Sequence, residues 1–163
     1  MDGNTAWNLV EAEDAPWIED VIASVDADTI TARQQERASR QRIKVMIADD
    51  DEFINNLAHR ALARHCEIVQ TYSGKDTLES YVRQMPNVIF LDIELGDASG
   101  LQLVKAILKL DPDAHIIMFS GHTYGETVRC SIEEGAKGFI AKPFPTNALL
   151  QHVMRYSKGV GLS

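Results

Sequence analysis

The 163-residue sequence contains only two cysteines, Cys66 and Cys130. Two thiols are too few for a disulfide framework or a zinc site, so we expect both to pack as small apolar side chains. No apolar run approaches the roughly 20 residues that a helix needs to cross a bilayer. The N-terminus, Met1 to Asp20, is acidic and lacks the basic start and long apolar core of a signal peptide. These absences predict a cytoplasmic protein without a membrane partner.

Basic residues are also scarce. The chain carries 16 Lys and Arg against 24 Asp and Glu, a formal net charge of −8. Such a chain binds DNA and RNA poorly, so we expect no direct nucleic-acid partner. Residues 1–32 include eight acids and no Lys or Arg, whereas 33–42 contain four Arg and one Glu. This shift predicts an acidic N-terminal extension with an Arg-rich connector over 1–42, and a separate domain from residue 43.

The extension contains one amphipathic stretch. It begins at Pro16 and Trp17, after which apolar residues recur at helical spacing: Ile18, Val21, Ile22 and Val25. This pattern predicts a short helix whose apolar stripe needs a surface, on its own domain, on a second chain or on a target. The polar segment 29–42 is predicted to be helical or a flexible connector. The alternative is a disordered acidic tail.

Beyond residue 42, short apolar runs alternate with segments of helical periodicity. Strands are predicted at 44–48, 67–71, 88–91, 115–119 and 138–141. Helices are predicted after them, at 53–65, 75–84, 101–110, 123–134 and from 146 onward. Several strands are continuous apolar runs, as expected for a parallel sheet with helices on both faces. The sequence therefore predicts an α/β fold over 43–157, a doubly wound, flavodoxin-like five-stranded parallel sheet of order 2-1-3-4-5, with a tail at 158–163.

Polar residues follow four of the predicted strands, at the edge where open α/β sheets bind ligands. They are Asp49, Asp50 and Asp51 after the first strand, Asp92 after the third, Ser120 after the fourth and Lys142 after the fifth. Clustered carboxylates repel one another unless they take up protons or bind a hard cation such as Mg²⁺. A carboxylate beside Mg²⁺ is able to accept a phosphoryl group, and a hydroxyl and an ammonium are suitable donors to the phosphoryl oxygens.

In this order and spacing, the motifs resemble the receiver domain of two-component response regulators, the chemotaxis-regulator fold. The matching pieces are Val45–Asp51, Phe90-Leu91-Asp92, Gly100, Ser120-Gly121 and Lys142-Pro143-Phe144. The resemblance implies that Asp92 is the phosphoacceptor. It also implies that Asp49 and Asp50 bind Mg²⁺ together with the Asp92 carboxylate and the backbone carbonyl of Glu94.

The resemblance assigns further roles around the pocket. Ser120 takes the place of the switch hydroxyl, Phe139 that of the rotameric aromatic switch, and Lys142 pairs with the phosphoryl group. The Lys142–Pro143 peptide bond is expected to be cis, as in the family. Glu94 and His122 stand at two variable positions that tune the lifetime of the phosphoryl group. The alternative for both is plain solvent exposure.

The implied function is signalling, not enzymatic turnover of a substrate. A histidine kinase or a phosphotransfer protein would donate the phosphoryl group. The partner that receives the signal is a downstream protein target, a domain absent from this chain or a second copy of the chain. No output domain is expected after the last predicted helix.

Some residues depart from the family pattern, and two other functions compete with it. Gly96 stands where the family usually has Pro, so we expect a more mobile loop there. Phe139 replaces the commoner Tyr.

One alternative function is that of a receiver-like scaffold that takes no phosphate. The other is an Asp-nucleophile phosphatase, suggested by Asp92-Ile93-Glu94. It is opposed because the second acid is Glu94 rather than Asp, and because Asp49 and Asp50 precede the nucleophile.

Overall fold

The structure, a computed structural model, describes residues 15–121 and 125–160. Two helices precede the first strand, α1 (Pro16–Ala23) and α2 (Ala27–Ala38). Strands and helices then alternate as β1 (Lys44–Ala48), α3 (Glu52–Leu62), β2 (Glu67–Thr71), α4 (Gly74–Gln84), β3 (Val88–Asp92), α5 (Gly100–Leu110), β4 (Ile116–Ser120), α6 (Gly125–Glu134), β5 (Gly138–Ala141) and α7 (Thr146–Gly159). The predicted alternation is confirmed.

The five strands form one parallel sheet in the order β2-β1-β3-β4-β5, which confirms the predicted fold class. The two central strands are in register where they end, because Ala48 pairs with Leu91. The next residues, Asp49 and Asp92, therefore leave the sheet side by side. Neighbouring strand ends of this kind create the crevice in which α/β sheets bind ligands.

The sheet has an apolar cluster on each face. Alternate strand residues point to opposite faces, so each buried strand contributes to both clusters. One cluster joins the sheet to α4 and α5, with Met46, Ile89, Leu91, Leu78 and Leu103 among its buried members. The other joins the sheet to α3 and α7, with Val45, Ile47, Phe90, Leu62 and Leu149. Helices on both faces explain why the central strands are apolar throughout.

The N-terminal helices pack on the domain that follows them, so the apolar stripe of α1 finds its surface in its own chain. Ile18 and Val21 are buried in the cluster on the α4–α5 side of the sheet. Helix α1 contacts α4 and α5, and α2 contacts α4. The disordered-tail alternative is wrong for Pro16–Ala23 and Ala27–Ala38, which form the helices α1 and α2. The extension before residue 15 lies outside the described residues.

A buried carboxylate fixes α2 to the domain. Asp111 is fully buried and accepts hydrogen bonds from Arg37 at 2.6 and 3.1 Å, from Gln34 at 2.9 Å and from the Tyr81 hydroxyl at 2.7 Å. Burial raises the pKa of Asp111, but the hydrogen bonds from Arg37, Gln34 and Tyr81 outweigh it and hold the pKa below its usual value. A charge buried this deeply is tolerated because three side chains donate hydrogen bonds to it, one of them a cation.

Helix α4 takes most of its end caps from other parts of the chain. At its N-terminus, the Asp97 carboxylate accepts hydrogen bonds from the backbone N–H groups of Gly74 and Lys75, while Ser73 provides the one local cap. At its C-terminus, Arg40 donates to the carbonyl oxygens of the last turn. An acid at the first end and a base at the second complement the helix dipole.

The structure also bears on the two cysteines and on membrane-spanning segments. Cys66 and Cys130 are both buried, as expected for small apolar side chains. In the part of the chain that the structure describes, no helix has the length and apolar character needed to span a bilayer.

Candidate functional site

Three carboxylates meet at the edge where β1 and β3 end. Asp49, Asp50 and Asp92 each offer one oxygen, and these oxygens lie within 4.8 Å of one another. Asp49 is fully buried and Asp92 is 8% exposed, whereas Asp50 faces solvent. Carboxylates this close repel one another, and the repulsion is strongest where water is excluded. The cluster therefore favours a cation or a proton.

Lys142 supplies one positive charge from the loop after β5. Its Nζ lies 2.5 Å from Asp49 Oδ2 and 3.2 Å from Asp92 Oδ2. The same Nζ is 4.8 Å from the centroid of the Phe119 ring. The Lys142–Pro143 peptide bond is cis, as the resemblance implied. Since one ammonium faces three carboxylates, the cluster keeps a formal charge of −2, which a divalent cation would balance.

The site also alters the protonation of Asp92. Burial and the nearby charge of Asp49 raise its pKa from 3.8 to about 7, although Lys142 opposes the rise. Near neutral pH, Asp92 is thus divided between its two protonation states, and a bound cation would favour the ionised one. Mg²⁺ takes oxygen ligands and keeps several waters, so a cluster of two buried carboxylates and one solvent-facing carboxylate fits it.

The third acid after β1 has a different role. The Asp51 carboxylate accepts hydrogen bonds from the backbone N–H groups of Phe53 and Ile54, at 2.9 and 3.3 Å, and so caps α3. Its own N–H donates to Asp49 Oδ1 at 2.9 Å. Asp51 therefore shapes the loop that carries Asp49 and Asp50, and its carboxylate is committed to the helix end.

Asn55 supports the same loop, and sequence reasoning missed it. It is fully buried in α3, and its Nδ2 donates to the carbonyl oxygens of Asp49 at 3.0 Å and Thr71 at 2.9 Å. Its Oδ1 accepts from Gln70 Nε2 at 2.9 Å. The signal was available: Asn55 lies on the apolar face of α3, three residues before Ala58, where an amide is out of pattern.

The backbone after Asp92 is packed against α5. A side chain at Gly100 would collide with the Asp92 carbonyl oxygen, and the Gly100 N–H donates to the Ile93 carbonyl at 2.5 Å. The Glu94 N–H lies 3.4 Å from Asp92 Oδ1, and the Glu94 side chain is exposed. Gly96 has φ +80°, a left-handed conformation that favours glycine. These contacts fix where the Asp92 loop leaves the sheet.

The remaining predicted site residues occupy the β4–β5 side. Ser120 is the last residue of β4 and is 2% exposed, and its carbonyl oxygen accepts a 2.9 Å hydrogen bond from the Lys142 N–H. Phe139 lies on β5, partly buried against the cluster on the α4–α5 side of the sheet. His122 lies outside the described residues. The sheet thus brings Asp49, Asp50, Asp92 and Lys142 into one cluster, with the backbone of Ser120 joined to it.

Known proteins are similar to this chain in sequence and in fold. Residues 45–154 match the family described as the response regulator receiver domain. Chemotaxis protein CheY of Thermotoga maritima is 29% identical over 117 residues, which make up 71% of this chain and 98% of that protein.

Solved structures of response regulators also have a fold similar to that of this chain. A CheY-like response regulator receiver domain protein from Methanospirillum hungatei has a TM-score of 0.69 at 25% identity, covering 74% of this chain and 97% of that one. A response regulator from Burkholderia pseudomallei, solved with a phosphorylated aspartic acid, a calcium ion and citrate, has a TM-score of 0.64 at 25% identity, covering 73% of this chain and 71% of that one. The family match spans well over half of the sequence, and the chain belongs to the response regulator receiver domain family.

Proposed function

We propose that this chain takes a phosphoryl group onto Asp92 from a histidine kinase or a histidine phosphotransfer protein, in a Mg²⁺-dependent reaction, and so changes a protein-interaction face. The convergence of three carboxylates with Lys142 Nζ carries the proposal. An acid cluster that only held the fold together would be neutralised more fully, since unpaired buried charges are costly. Here Asp92 lies between a lysine and two further acids, which suits a group that accepts phosphoryl.

Asp49, Asp50 and the Asp92 carboxylate would hold Mg²⁺ together with the Glu94 carbonyl. Bound there, the ion would neutralise charge on the phosphoryl oxygens. Ionised Asp92 is the nucleophile: its Oδ forms a bond to phosphorus as the phosphorus–nitrogen bond of the donor phosphohistidine breaks, and the imidazole nitrogen leaves with the electron pair. Lys142 and the Ser120 hydroxyl then donate to the phosphoryl oxygens.

The signal would leave through the β4–β5 side. In this proposal Ser120 moves toward the phosphoryl group, and Phe139 turns into the space that opens, which changes the surface formed by α6, β5 and α7. The hydrogen bond between the Lys142 N–H and the Ser120 carbonyl joins the ends of β4 and β5, and so supports a mechanical link between the two residues. Glu94 and His122 would tune how long the phosphoryl group survives. The receiving partner is a downstream protein, another domain or a second copy of the chain.

Incubation with acetyl phosphate or phosphoramidate and Mg²⁺ tests the proposal. We expect the intact mass to rise by one phosphoryl group, and Asp92→Asn to abolish the rise. Asp51→Asn is the matched control, because it neutralises a neighbouring acid that caps α3 and should still be labelled. Labelling that persists in Asp92→Asn would remove Asp92 as the acceptor. Absence of labelling in the wild type would favour the scaffold, and turnover of p-nitrophenyl phosphate would favour the phosphatase.

A further inference from the structure

Asp97 joins two parts of the domain that are distant in sequence. It lies in the loop between β3 and α5, five residues after Asp92. Its Oδ1 accepts from the Gly74 N–H at 2.6 Å and its Oδ2 from the Lys75 N–H at 3.0 Å. Both oxygens are therefore used, and the loop that follows Asp92 is tied to the first turn of α4.

The tie is packed tightly. A Cβ at Gly74 would lie 2.9 Å from Asp97 Oδ1, 3.1 Å from Ala98 Cβ and 3.3 Å from the ring of Trp17. Glycine is thus needed at residue 74 so that the loop and α1 approach the helix start together. Trp17 of the N-terminal extension belongs to the same contact as Asp97.

Hydrogen bonds within the loop hold its base, because the Leu95 N–H donates to the Ala98 carbonyl at 3.1 Å and Glu94 pairs with Ser99 in an antiparallel bridge. Contacts with other elements then hold the loop against the rest of the domain. Gly96 has no side chain, and among the described residues a Cβ there would meet only Asp50 Oδ2, at 3.9 Å. Leu95, by contrast, is buried in the cluster that also holds Ile18 and Val21 of α1. The position of the Glu94 carbonyl, a proposed Mg²⁺ ligand, therefore depends on the bridge to Ser99 and also on the Leu95 and Asp97 contacts that anchor the loop to the domain.

We propose that Asp97 is a positioning residue of the phosphoryl-transfer site, which holds the Glu94 carbonyl and the Asp92 loop in place for Mg²⁺, and that Trp17 supports it. This inference rests on the proposed function. Asp97 touches neither the acid cluster nor the reacting atoms; it acts through the backbone between residues 92 and 97. Groups that orient metal ligands in this way typically change metal affinity or activity by about 10–100-fold when removed.

The experiment compares four variants of the full chain with the wild type. Asp97→Ala removes the tie, and Asp97→Asn keeps an acceptor oxygen for Gly74. Ser73→Ala is the matched control, since it removes the other cap of α4, on the Asp76 N–H, without touching the β3–α5 loop. Trp17→Ala tests the contribution of α1. For each we would measure the Mg²⁺ dissociation constant by calorimetry, amide exchange of residues 93–99 without metal, and the rate of phosphorylation by acetyl phosphate.

We expect Asp97→Ala to weaken Mg²⁺ binding by about 10-fold, to slow phosphorylation at limiting Mg²⁺ and to speed exchange over 93–99. Asp97→Asn should recover most of the affinity, Trp17→Ala should change it in the same direction as Asp97→Ala, and Ser73→Ala should leave it within twofold of wild type. If Asp97→Ala binds Mg²⁺ like Ser73→Ala, Asp97 is only a helix cap and the inference is wrong. If Trp17→Ala binds Mg²⁺ with the affinity of the wild type, α1 does not contribute to positioning the metal ligands. A wild type that neither binds Mg²⁺ nor accepts phosphoryl would overturn the proposed function itself.

Discussion

Replacing Arg37 by Met tests how strongly the N-terminal extension is held. The Arg37 side chain is 10% exposed and its partner Asp111 is fully buried. In Arg37→Met, Asp111 keeps Gln34 and Tyr81 as donors but loses its only cation in the described network. Breaking a buried pair by removing one partner costs about 3–5 kcal/mol, and two surviving donors place the expected loss near 3 kcal/mol. For a chain of this size that corresponds to a melting temperature lower by about 6–12 °C.

The matched control is on the same helix. Arg33 is also in α2, but its ion pair with Glu36 is exposed, at 40% and 59% of the two side chains. Pairs of that kind contribute less than about 1 kcal/mol, so Arg33→Met should unfold close to wild type. Thermal and urea denaturation followed by circular dichroism would compare the three proteins at equal concentration.

The loss in Arg37→Met should also depend on pH. In the wild type the pKa of Asp111 lies below its usual value, so the contribution of this group to stability is present near neutral pH and is lost as the pH falls through that lowered pKa. Without Arg37, we expect the pKa of Asp111 to be higher, because burial still favours its neutral form. The Asp111 carboxylate should then become protonated at a higher pH than in the wild type. The difference between the two proteins should therefore be largest near pH 7 and shrink toward about pH 4. A difference from Arg33→Met below about 1 kcal/mol, or one independent of pH, would refute this account.

Three further predictions concern the acid cluster and the switch. Because the pKa of Asp92 is raised to about 7, its contribution to metal-free stability is present below its usual pKa and is lost as the pH rises toward 7; Asp92→Asn should then be more stable than wild type near pH 8, by at most about 4 kcal/mol in urea unfolding, and equal stabilities would contradict the raised pKa. Mg²⁺ should raise the melting temperature of the wild type, and Asp50→Ala should lose that rise without becoming less stable when metal-free; a full Mg²⁺ response in Asp50→Ala would place the ion elsewhere. Beryllofluoride with Mg²⁺ should change amide exchange over residues 120–142, and an unchanged pattern with the ligand bound would count against the switch.

The fold was predictable because its signals are local. Each central strand is a run of apolar residues, and a polar residue of the site follows it directly in the sequence. Because the carboxyl ends of parallel strands meet at one edge of the sheet, the sequence alone predicts that Asp49, Asp92 and Lys142 lie close together. The bounds of strands and helices follow within a few residues because the apolar pattern changes there.

The contacts that the sequence did not reveal join residues far apart in the chain. Arg37 and Asp111 are 74 residues apart, and in sequence each is an ordinary charged residue of a polar segment. Nothing local marks Asp97 as the cap of α4, since its partners come 22 and 23 residues earlier. Asp50 and Asp51 are identical neighbours, and only the backbone turn at the start of α3 sends one to the cluster and the other to the helix end.

Because residues from distant parts of the chain cap both ends of α4, we expect this helix to form later than its neighbours. Helix α5 carries its own capping box, made by Ser99 and Gln102, so its first turn is stabilised by neighbours in sequence. Helix α4, with Asp97 at one end and Arg40 at the other, is complete only after the extension and the β3–α5 loop have reached it. Short helices are marginal in water on their own. A peptide of residues 73–85, which keeps the local Ser73 cap, should therefore be less helical than one of residues 99–110. In the folding chain, α4 should become stable late, when the extension and the β3–α5 loop have both packed against it.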